Sequence, residues 1–125
     1  MKIVSTNRQA YHNYFVEATY EAGICLEGSE VKSIRAGNCN LKDCFILIKK
    51  NEEVILKNMY VKPYEKSSVF TPNERRDHKL LMHKSEIKKL LSKVKQKGYT
   101  LVPTKLYFKN SLVKVEVGLC KGKQN

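Results

Sequence analysis

The stretch YTLVPTKLYFKNSLVKVEVGLCKG, residues 99–122, decides the fold. In its second half, apolar residues at positions 113, 115, 117 and 119 alternate with Lys114 and Glu116, which is the pattern of a strand with one buried and one solvated face. Its first half is rich in β-branched and aromatic residues. Asn110 and Ser111, between the halves, are typical turn residues. The stretch therefore predicts a long β-hairpin.

Three more strands are expected upstream. Residues 14–26 are rich in β-branched and aromatic residues, and Gly23 within them indicates a bulge or bend. NLKDCFILIKK (40–50) and EEVILKNMYV (52–61) predict two strands joined by a tight turn around Asn51. Strands in this order do not alternate with helices as parallel βαβ units do, and closure removes exposed edges. We therefore predict a mainly β fold with helices: a small antiparallel barrel with an oligonucleotide-binding-like core.

About three helices should pack against this core, giving a single domain over residues 1–125. The clearest is predicted for residues 84–97, where apolar residues recur at i, i+3, i+4 and i+7, Gly98 follows the end and His83 is a candidate cap. A short helix is expected after Asn7, a candidate N-cap. Another is expected in EVKSIRAGNCNLKD (30–43), with Ser29 as its cap and Gly37 as the left-handed residue that ends it.

The charge of the chain is its strongest functional signal. Lys and Arg number 24 against 12 Asp and Glu, a formal net charge of +12, and residues 79–125 contain twelve lysines and two glutamates. A surface this basic favours a nucleic-acid partner, which would offset its self-repulsion. The alternatives are a solvated, solubilising surface and an anionic membrane. The membrane is disfavoured because no amphipathic helix carries bulky Trp or Phe anchors.

The remaining composition narrows the class of protein. The start MKIVSTNRQ lacks the apolar stretch of a signal peptide, and no run is long and apolar enough to span a membrane, so we expect a soluble cytoplasmic protein. The four cysteines (25, 39, 44 and 120) have neither CxxC nor zinc-finger spacing. Small buried thiols in a reducing compartment are expected, rather than a metal site or a disulfide framework.

Catalytic motifs are missing from the sequence: it has no nucleophile elbow, phosphate-cradling glycine loop or HExxH. A nuclease that uses His12 with a lysine is the alternative, since acid–base catalysis needs a group that titrates near neutrality. We expect a protein that is not an enzyme and needs no metal or cofactor. Candidate stacking aromatics are Tyr11, Tyr14, Tyr64 and Phe70, but the few paired outward rings favour the backbone of a folded RNA over single strands.

Three long segments carry a family resemblance: NRQAYHNYFVEATYEAGICLEGSEVKSIRAGNCNLKD, KLLMHKSEIKKLLSKVKQKGYTLVPTKLYFKN and VKVEVGLCKGK. They closely resemble the SsrA-binding protein family (small protein B), from about residue 7 to residue 123. The resemblance implies a barrel with helices set against it and a role in trans-translation, the rescue of stalled ribosomes. It implies binding to the tRNA-like domain of transfer-messenger RNA (tmRNA). The small ribosomal subunit and elongation factor Tu with alanyl-tmRNA would be further partners of a monomeric protein.

The resemblance also implies RNA-binding residues. Asn7, Glu21, Leu81 and Lys114 fall on the family's RNA-binding positions: Asn7 for a base edge or 2′-hydroxyl, Lys114 for phosphate, and Leu81 for packing against an exposed base. Glu21 would accept from a base amino group or ribose hydroxyl, or would orient a neighbouring cation. Charge and motif position add the remaining candidates, each of which could instead be a solvent-facing charge: Arg8, His12, Lys32, Arg35, Lys42, Arg76, Lys79 and Lys121.

A hypothesis for the short helix that ends at Gly37 follows: burial of Val31 and Ile34 would hold Lys32 and Arg35 in place, unless one of these cations pairs with Glu27 or Glu30.

Two departures from the family pattern generate expectations. His78 stands where the family usually has a second arginine before the lysine, so one phosphate contact would become pH-sensitive. The chain ends at KGKQN, whereas family members continue with a basic tail that reaches toward the decoding centre. We therefore expect these residues to bind tmRNA without supporting peptide tagging. A generic structured-RNA-binding or ribosome-assembly module is the alternative function.

Overall fold

The computed structural model describes residues 1–64 and 73–123, and within them it contains nine strands and three helices. Their bounds are β1 Lys2–Thr6, α1 Arg8–Asn13, β2 Tyr14–Ile24, α2 Gly28–Arg35, β3 Cys39–Asn40, β4 Phe45–Ile48, β5 Val54–Lys57, β6 Tyr60–Val61, β7 His78–Leu81, α3 Lys84–Val94, β8 Tyr99–Lys109 and β9 Leu112–Gly122. Phe70, a predicted stacking residue, lies outside the described residues.

Six strands pair into a closed ring, in the order β8, β4, β5, β7, β2 and β9, with β9 pairing again with β8. All these pairings are antiparallel, and β1 adds to the second edge of β8 beside β4. Strands β3 and β6 form a separate two-stranded sheet. The predicted mainly β fold with an oligonucleotide-binding-like core and three helices is confirmed.

The predicted hairpin provides two strands of this ring, β8 and β9, which pair with each other. Strands β8 and β9 turn at Asn110 and Ser111, which both have left-handed φ values of 50° and 71°. Two left-handed residues match the twist of the flanking strands, as in type I′ turns. Val115 and Val117 are fully buried inside the ring, while Lys114 lies on its outer face.

The bulge expected at Gly23 lies elsewhere. The pairing of β2 with β9 shifts register between Val16 and Ala18. Gly23 is instead paired on both edges of β2, with Lys114 of β9 and Leu81 of β7. At Gly23 the pairing of β2 passes from β9 to β7, and no extra residue is inserted there.

Helices α1 and α3 begin as expected. Asn7 caps α1 by accepting from the Ala10 N–H, and Ala10 packs with Val102 and Cys120 on the outer face of the ring. His83 is the N-cap of α3, which buries Leu90 in the central core. Helix α3 ends earlier than expected, at Val94, and Gly98 lies in the turn before β8.

Helix α2 differs from the prediction at its N-cap. Its N-cap is Glu27 rather than Ser29, and the Glu27 N–H donates to Glu30 at 2.8 Å. Gly37 follows its last turn with φ of 81°, as expected. Ile34 of this helix is completely buried in the core.

All four cysteines are free thiols. The expectation that they are buried is confirmed for Cys44 and Cys120, but Cys39 is half-buried and Cys25 is exposed. Burial raises the pKa of the Cys39 thiol to about 11 and that of Cys120 to about 11. For Cys44, burial raises the pKa to about 12. Within residues 1–64 and 73–123, no group of three or more His, Cys, Asp or Glu side chains is arranged to hold a metal, and no helix is long and apolar enough to cross a membrane.

Candidate nucleic-acid interface

A groove opens on the outer face of the ring where β7, β2 and β9 lie side by side. The strand register sets Leu81, Gly23 and Lys114 in one row across three strands. Because Gly23 has no side chain, the row is lowest at its centre, and a Cβ there would lie 3.4 Å from the Leu81 Cβ. The cavity has a volume of about 330 Å³, and we call it the Gly23 groove, lined by Glu21, Gly23, Leu81, Met82, His83 and Lys114.

The two sides of the Gly23 groove differ chemically. Leu81 is 54% exposed, so one side presents an aliphatic surface that the fold itself leaves uncovered. Lys114 and Glu21 provide a cation and a carboxylate on the other side. The apolar side can contact the face of a base, the lysine can bind a phosphate, and the carboxylate can accept from a hydroxyl. A nucleotide offers all three groups together.

Glu21 is held in place by two residues of strand β8, which lies on the far side of β9 from β2. The Tyr107 hydroxyl donates to its Oε1 at 2.6 Å, and Lys109 Nζ lies 3.4 Å from Oε2. The Tyr107 hydrogen bond, followed by the charge and hydrogen bonds of Lys109, lowers the pKa of Glu21. Burial of Tyr107 and this same bond raise the Tyr107 pKa. The Glu21 carboxylate is therefore ionised and oriented at neutral pH. Sequence reasoning missed Tyr107 and Lys109, although the KLYFKN motif contains both.

A second cavity lies beside α1 and brings other predicted residues together. Its volume is about 420 Å³, and Arg8, His12 and Lys42 lie in its wall, with Asn40 opposite α1. Asn7 also borders it, but Asn7 is only 6% exposed. Its amide donates to the Pro103 carbonyl at 2.9 Å while its oxygen caps α1.

The geometry changes the interpretation of Asn7. Its side-chain amide joins α1 to strand β8, and the Asn7 backbone N–H also donates to the Thr104 carbonyl at 2.8 Å. Buried amides that give up such partners are costly. Asn7 therefore holds α1 in place so that Arg8 and His12 face the cavity.

The exposed face of α2 carries two ordered cations. Lys32 Nζ lies 5.3 Å from the centre of the Tyr64 ring, and the Arg35 guanidinium lies 5.5 Å from that of Phe108. Cations over aromatic faces are attracted by the ring quadrupole, and this restricts their motion. The predicted anchoring of α2 holds for Ile34, while Val31 is half-buried.

Neither α2 cation forms an ion pair with Glu30, because other groups occupy that carboxylate. Arg76 binds Glu30 through Nη2 at 2.6 Å and Nε at 3.0 Å, and His78 Nε2 lies 2.7 Å from Oε2. Glu30 is 4% exposed and His78 is fully buried. We call these three residues the Glu30 junction.

The Glu30 junction corrects one expectation and bears on a second. His78 cannot offer a pH-sensitive phosphate contact, because its ring lies in the interior against a carboxylate. The Arg76 guanidinium binds Glu30, and this hydrogen bond raises the Arg76 pKa; its side chain is 31% exposed, and its contact with RNA stays a prediction. Burial alone would raise the pKa of Glu30, yet hydrogen bonds from His78, Arg76 and the Glu27 N–H outweigh it and lower that pKa to about 2.

The last two predicted cations lie apart from both cavities. Lys79 Nζ lies 3.4 Å from Glu53, the residue before the neighbouring strand β5, and about half of the Lys79 side chain is exposed. Lys121 lies over the Tyr99 ring at 5.5 Å, and Lys93 contacts that ring as well, at 5.4 Å. Of the stacking candidates, Tyr11 is exposed and Tyr14 half-buried. The structure thus gathers Glu21, Leu81 and Lys114 in one groove, Arg8, His12 and Lys42 in another, and leaves Lys79 and Lys121 outside both.

A closed antiparallel ring with basic outer surfaces and shallow grooves defines a protein of the oligonucleotide-binding-like class. The sequence model of the SmpB protein family matches residues 4–125, and the chain belongs to this family. It is 54% identical over 124 residues to the SsrA-binding protein of Bacillus subtilis (strain 168), covering 99% of this chain and 79% of that protein. The SsrA-binding protein of Caldicellulosiruptor saccharolyticus is also 54% identical, over 99% of this chain and 78% of its own length.

A solved structure extends the similarity to three dimensions. It comes from "tmRNA-SmpB: a journey to the center of the bacterial ribosome" and matches with a TM-score of 0.78 and 48% sequence identity. The match covers 95% of this chain and 83% of that one.

Proposed function

We propose that the protein binds the tRNA-like domain of tmRNA and delivers it to stalled ribosomes in trans-translation. Membership of the SmpB family and the similarity to a tmRNA–SmpB structure support this function. The observation that carries it on the chain itself is the Gly23 groove, where Glu21, Leu81 and Lys114 converge from three strands.

Within this proposal, each groove residue has a distinct role. Lys114 binds a phosphate, and the exposed Leu81 side chain packs against an unstacked base. Glu21, oriented by Tyr107, accepts a hydrogen bond from a base amino group or a ribose hydroxyl. Phosphate contacts supply attraction, while the apolar and hydrogen-bonding contacts select a folded RNA with exposed nucleotides.

The second cavity and the face of α2 extend the contact. Arg8, His12 and Lys42 meet backbone beside α1, and Lys32 with Arg35 present fixed cations. The protein acts as a monomer in the cytoplasm, without catalysis, metal or cofactor. Its further partners are the small ribosomal subunit and elongation factor Tu with alanyl-tmRNA.

A competition experiment tests this function. Binding of the protein to a labelled tRNA-like domain is followed by fluorescence anisotropy, with unlabelled tRNA-like domain or unstructured RNA of equal length as competitor at one salt concentration. We expect the folded RNA to compete far better and to remain uncleaved. With about six phosphate contacts, the logarithm of affinity should fall with the logarithm of salt with a slope of roughly −4 to −5.

The generic structured-RNA or ribosome-assembly alternative predicts the same salt slope, since both rely on phosphate contacts. It differs in selectivity. Equal competition by an unrelated structured RNA, such as a plain hairpin of the same length, would contradict the proposed function and favour the alternative.

A further inference from the structure

The Glu30 junction connects two parts of the surface that the RNA-binding proposal uses. Glu30 lies on helix α2, which carries Lys32 and Arg35. His78 is the first residue of strand β7, and Arg76 lies two residues before it. Strand β7 also carries Leu81 of the Gly23 groove, three residues after His78. The junction is therefore a direct side-chain link between these two elements.

Both oxygens of the Glu30 carboxylate are fully used. Oε1 accepts from the Glu27 N–H at 2.8 Å and from Arg76 Nη2 at 2.6 Å. Oε2 accepts from Arg76 Nε at 3.0 Å and lies 2.7 Å from His78 Nε2. Because an ionised carboxylate only accepts hydrogen bonds, His78 Nε2 carries the proton in this contact.

The geometry of the junction restricts orientation as well as distance. A guanidinium that binds a carboxylate through two parallel hydrogen bonds fixes the angle between the two groups, which an apolar contact does not do. Lys32 and Arg35 follow Glu30 by two and five residues, so they lie about 200° and 140° further round the helix. Pulling Glu30 inward therefore turns both cations outward.

We propose that Glu30 is a positioning residue for RNA binding, which fixes the cations of α2 relative to the Gly23 groove by holding Arg76 and His78. This inference rests on the proposed function, because it concerns how that surface binds a folded RNA. Glu30 does not touch the RNA, since it is buried beneath the helix. Arg76 acts with it as part of the same link rather than as an independent phosphate contact.

The chain offers a matched control for Glu30. Glu86 has the same position in the first turn of α3, where its Oε1 accepts from the His83 N–H at 3.2 Å. Glu30→Gln and Glu86→Gln therefore remove the same charge from the same type of capping interaction. Glu86 is half-buried, and its carboxylate accepts from no Arg or His side chain among the hydrogen bonds of residues 1–64 and 73–123.

The test is a double-mutant cycle on affinity for the tRNA-like domain, with thermal unfolding measured for every variant. Glu30→Gln adds one unit of positive charge, so long-range electrostatics alone would strengthen RNA binding. We expect it to weaken binding about tenfold, within the usual range for coupling between sites, and to reduce the effect of Lys32→Ala. Glu86→Gln adds the same charge, so it should not weaken binding, and it should leave the effect of Lys32→Ala unchanged.

A second variant separates positioning from direct contact. Arg76→Lys keeps the charge but loses the fork, so it should weaken binding as Glu30→Gln does, and the two changes together should cost no more than either one. If Lys32→Ala has the same effect in the parent and in the Glu30→Gln variant, or if Arg76→Lys binds normally, the inference is wrong. Failure of the unaltered protein to prefer the tRNA-like domain would instead overturn the proposed function.

Discussion

Glu21 and Glu30 are the same residue type, nine positions apart, in opposite environments. Glu21 is exposed at the edge of the Gly23 groove, where Tyr107 and Lys109 leave part of its carboxylate open to a ligand. Glu30 is buried, and every oxygen accepts from a group of the protein itself. The difference shows that a glutamate in a basic protein can act on the ligand or on the scaffold, and that its partners decide which.

The largest expected effect is the difference in protein stability between removing the charge of Glu30 and removing that of Glu21. The pKa of Glu30 is about 2 in the folded protein, below its ordinary value of 4.5. A lowered pKa stabilises the fold fully above the ordinary value and progressively less as pH falls toward the folded value. Glu30→Gln should therefore lower the free energy of unfolding near neutral pH by on the order of 3 kcal/mol. This difference should shrink between about pH 4.5 and pH 2.

Denaturant unfolding at a series of pH values measures this difference. Glu21→Gln is the comparison, because Glu21 is exposed and its loss should have a small effect on stability. A stability difference between the parent and Glu30→Gln that stays constant from pH 7 to pH 2 would contradict the assignment of an ionised, hydrogen-bonded Glu30.

The next effect concerns RNA binding at the Gly23 groove, which contains Glu21 and Lys114. Lys114→Glu should weaken binding of the tRNA-like domain by roughly 30-fold, because it removes a phosphate contact and places repulsion in the groove. Lys114→Gln should weaken binding less and reduce the magnitude of the salt slope by about one. Anisotropy titrations at four salt concentrations give both quantities.

Lys50→Glu is the control for this reversal. Lys50 is exposed in the turn between β4 and β5 and lines neither cavity. Its reversal changes the net charge of the protein equally. If it weakened RNA binding as much as Lys114→Glu, the effect would come from total charge, and the groove would lose its special role.

The comparison also shows which features could be predicted from the sequence. The β8–β9 hairpin and helix α3 follow from periodicity and turn residues, which are local properties. Strands β1 and β7 were missed because they are only five and four residues long and obtain their stability from partners far along the chain. The sequence predicted that the antiparallel sheet would close, but it did not predict the order of the strands around the ring.

Burial of His78 was the main source of error at the candidate site. Arg76 and His78 lie in a basic stretch that favours RNA contact, but their partner Glu30 is more than forty residues away. The cap on Asn7 was predictable, whereas its bond to Pro103, across 96 residues, was not. The grouping of Glu21, Leu81 and Lys114 came from the family resemblance, and physical pattern alone contains no signal for it.

The smallest expected effect tests whether RNA binding in the Gly23 groove depends on the missing side chain of Gly23. Gly23 has no left-handed φ, and a Cβ would make an ordinary contact with Leu81 at 3.4 Å. Because glycine weakens a strand, Gly23→Ala and Gly23→Val should keep or raise stability by about 0.5–1 kcal/mol. Gly23→Val should nevertheless weaken RNA binding about fivefold, with Gly23→Ala between it and the parent, because methyl groups fill the floor of the groove.

A variant that is more stable but binds RNA more weakly cannot owe its weaker binding to damage to the fold. Melting curves and anisotropy titrations on the same samples measure the two changes. Gly28 provides the control, since a Cβ there has nothing within 4 Å and Gly28 lies at the start of α2, outside the groove. Gly28→Ala should leave RNA affinity unchanged. Normal affinity for Gly23→Val would mean that RNA does not enter the groove between Leu81 and Lys114, and Glu21 would then be an exposed structural residue rather than a ligand contact.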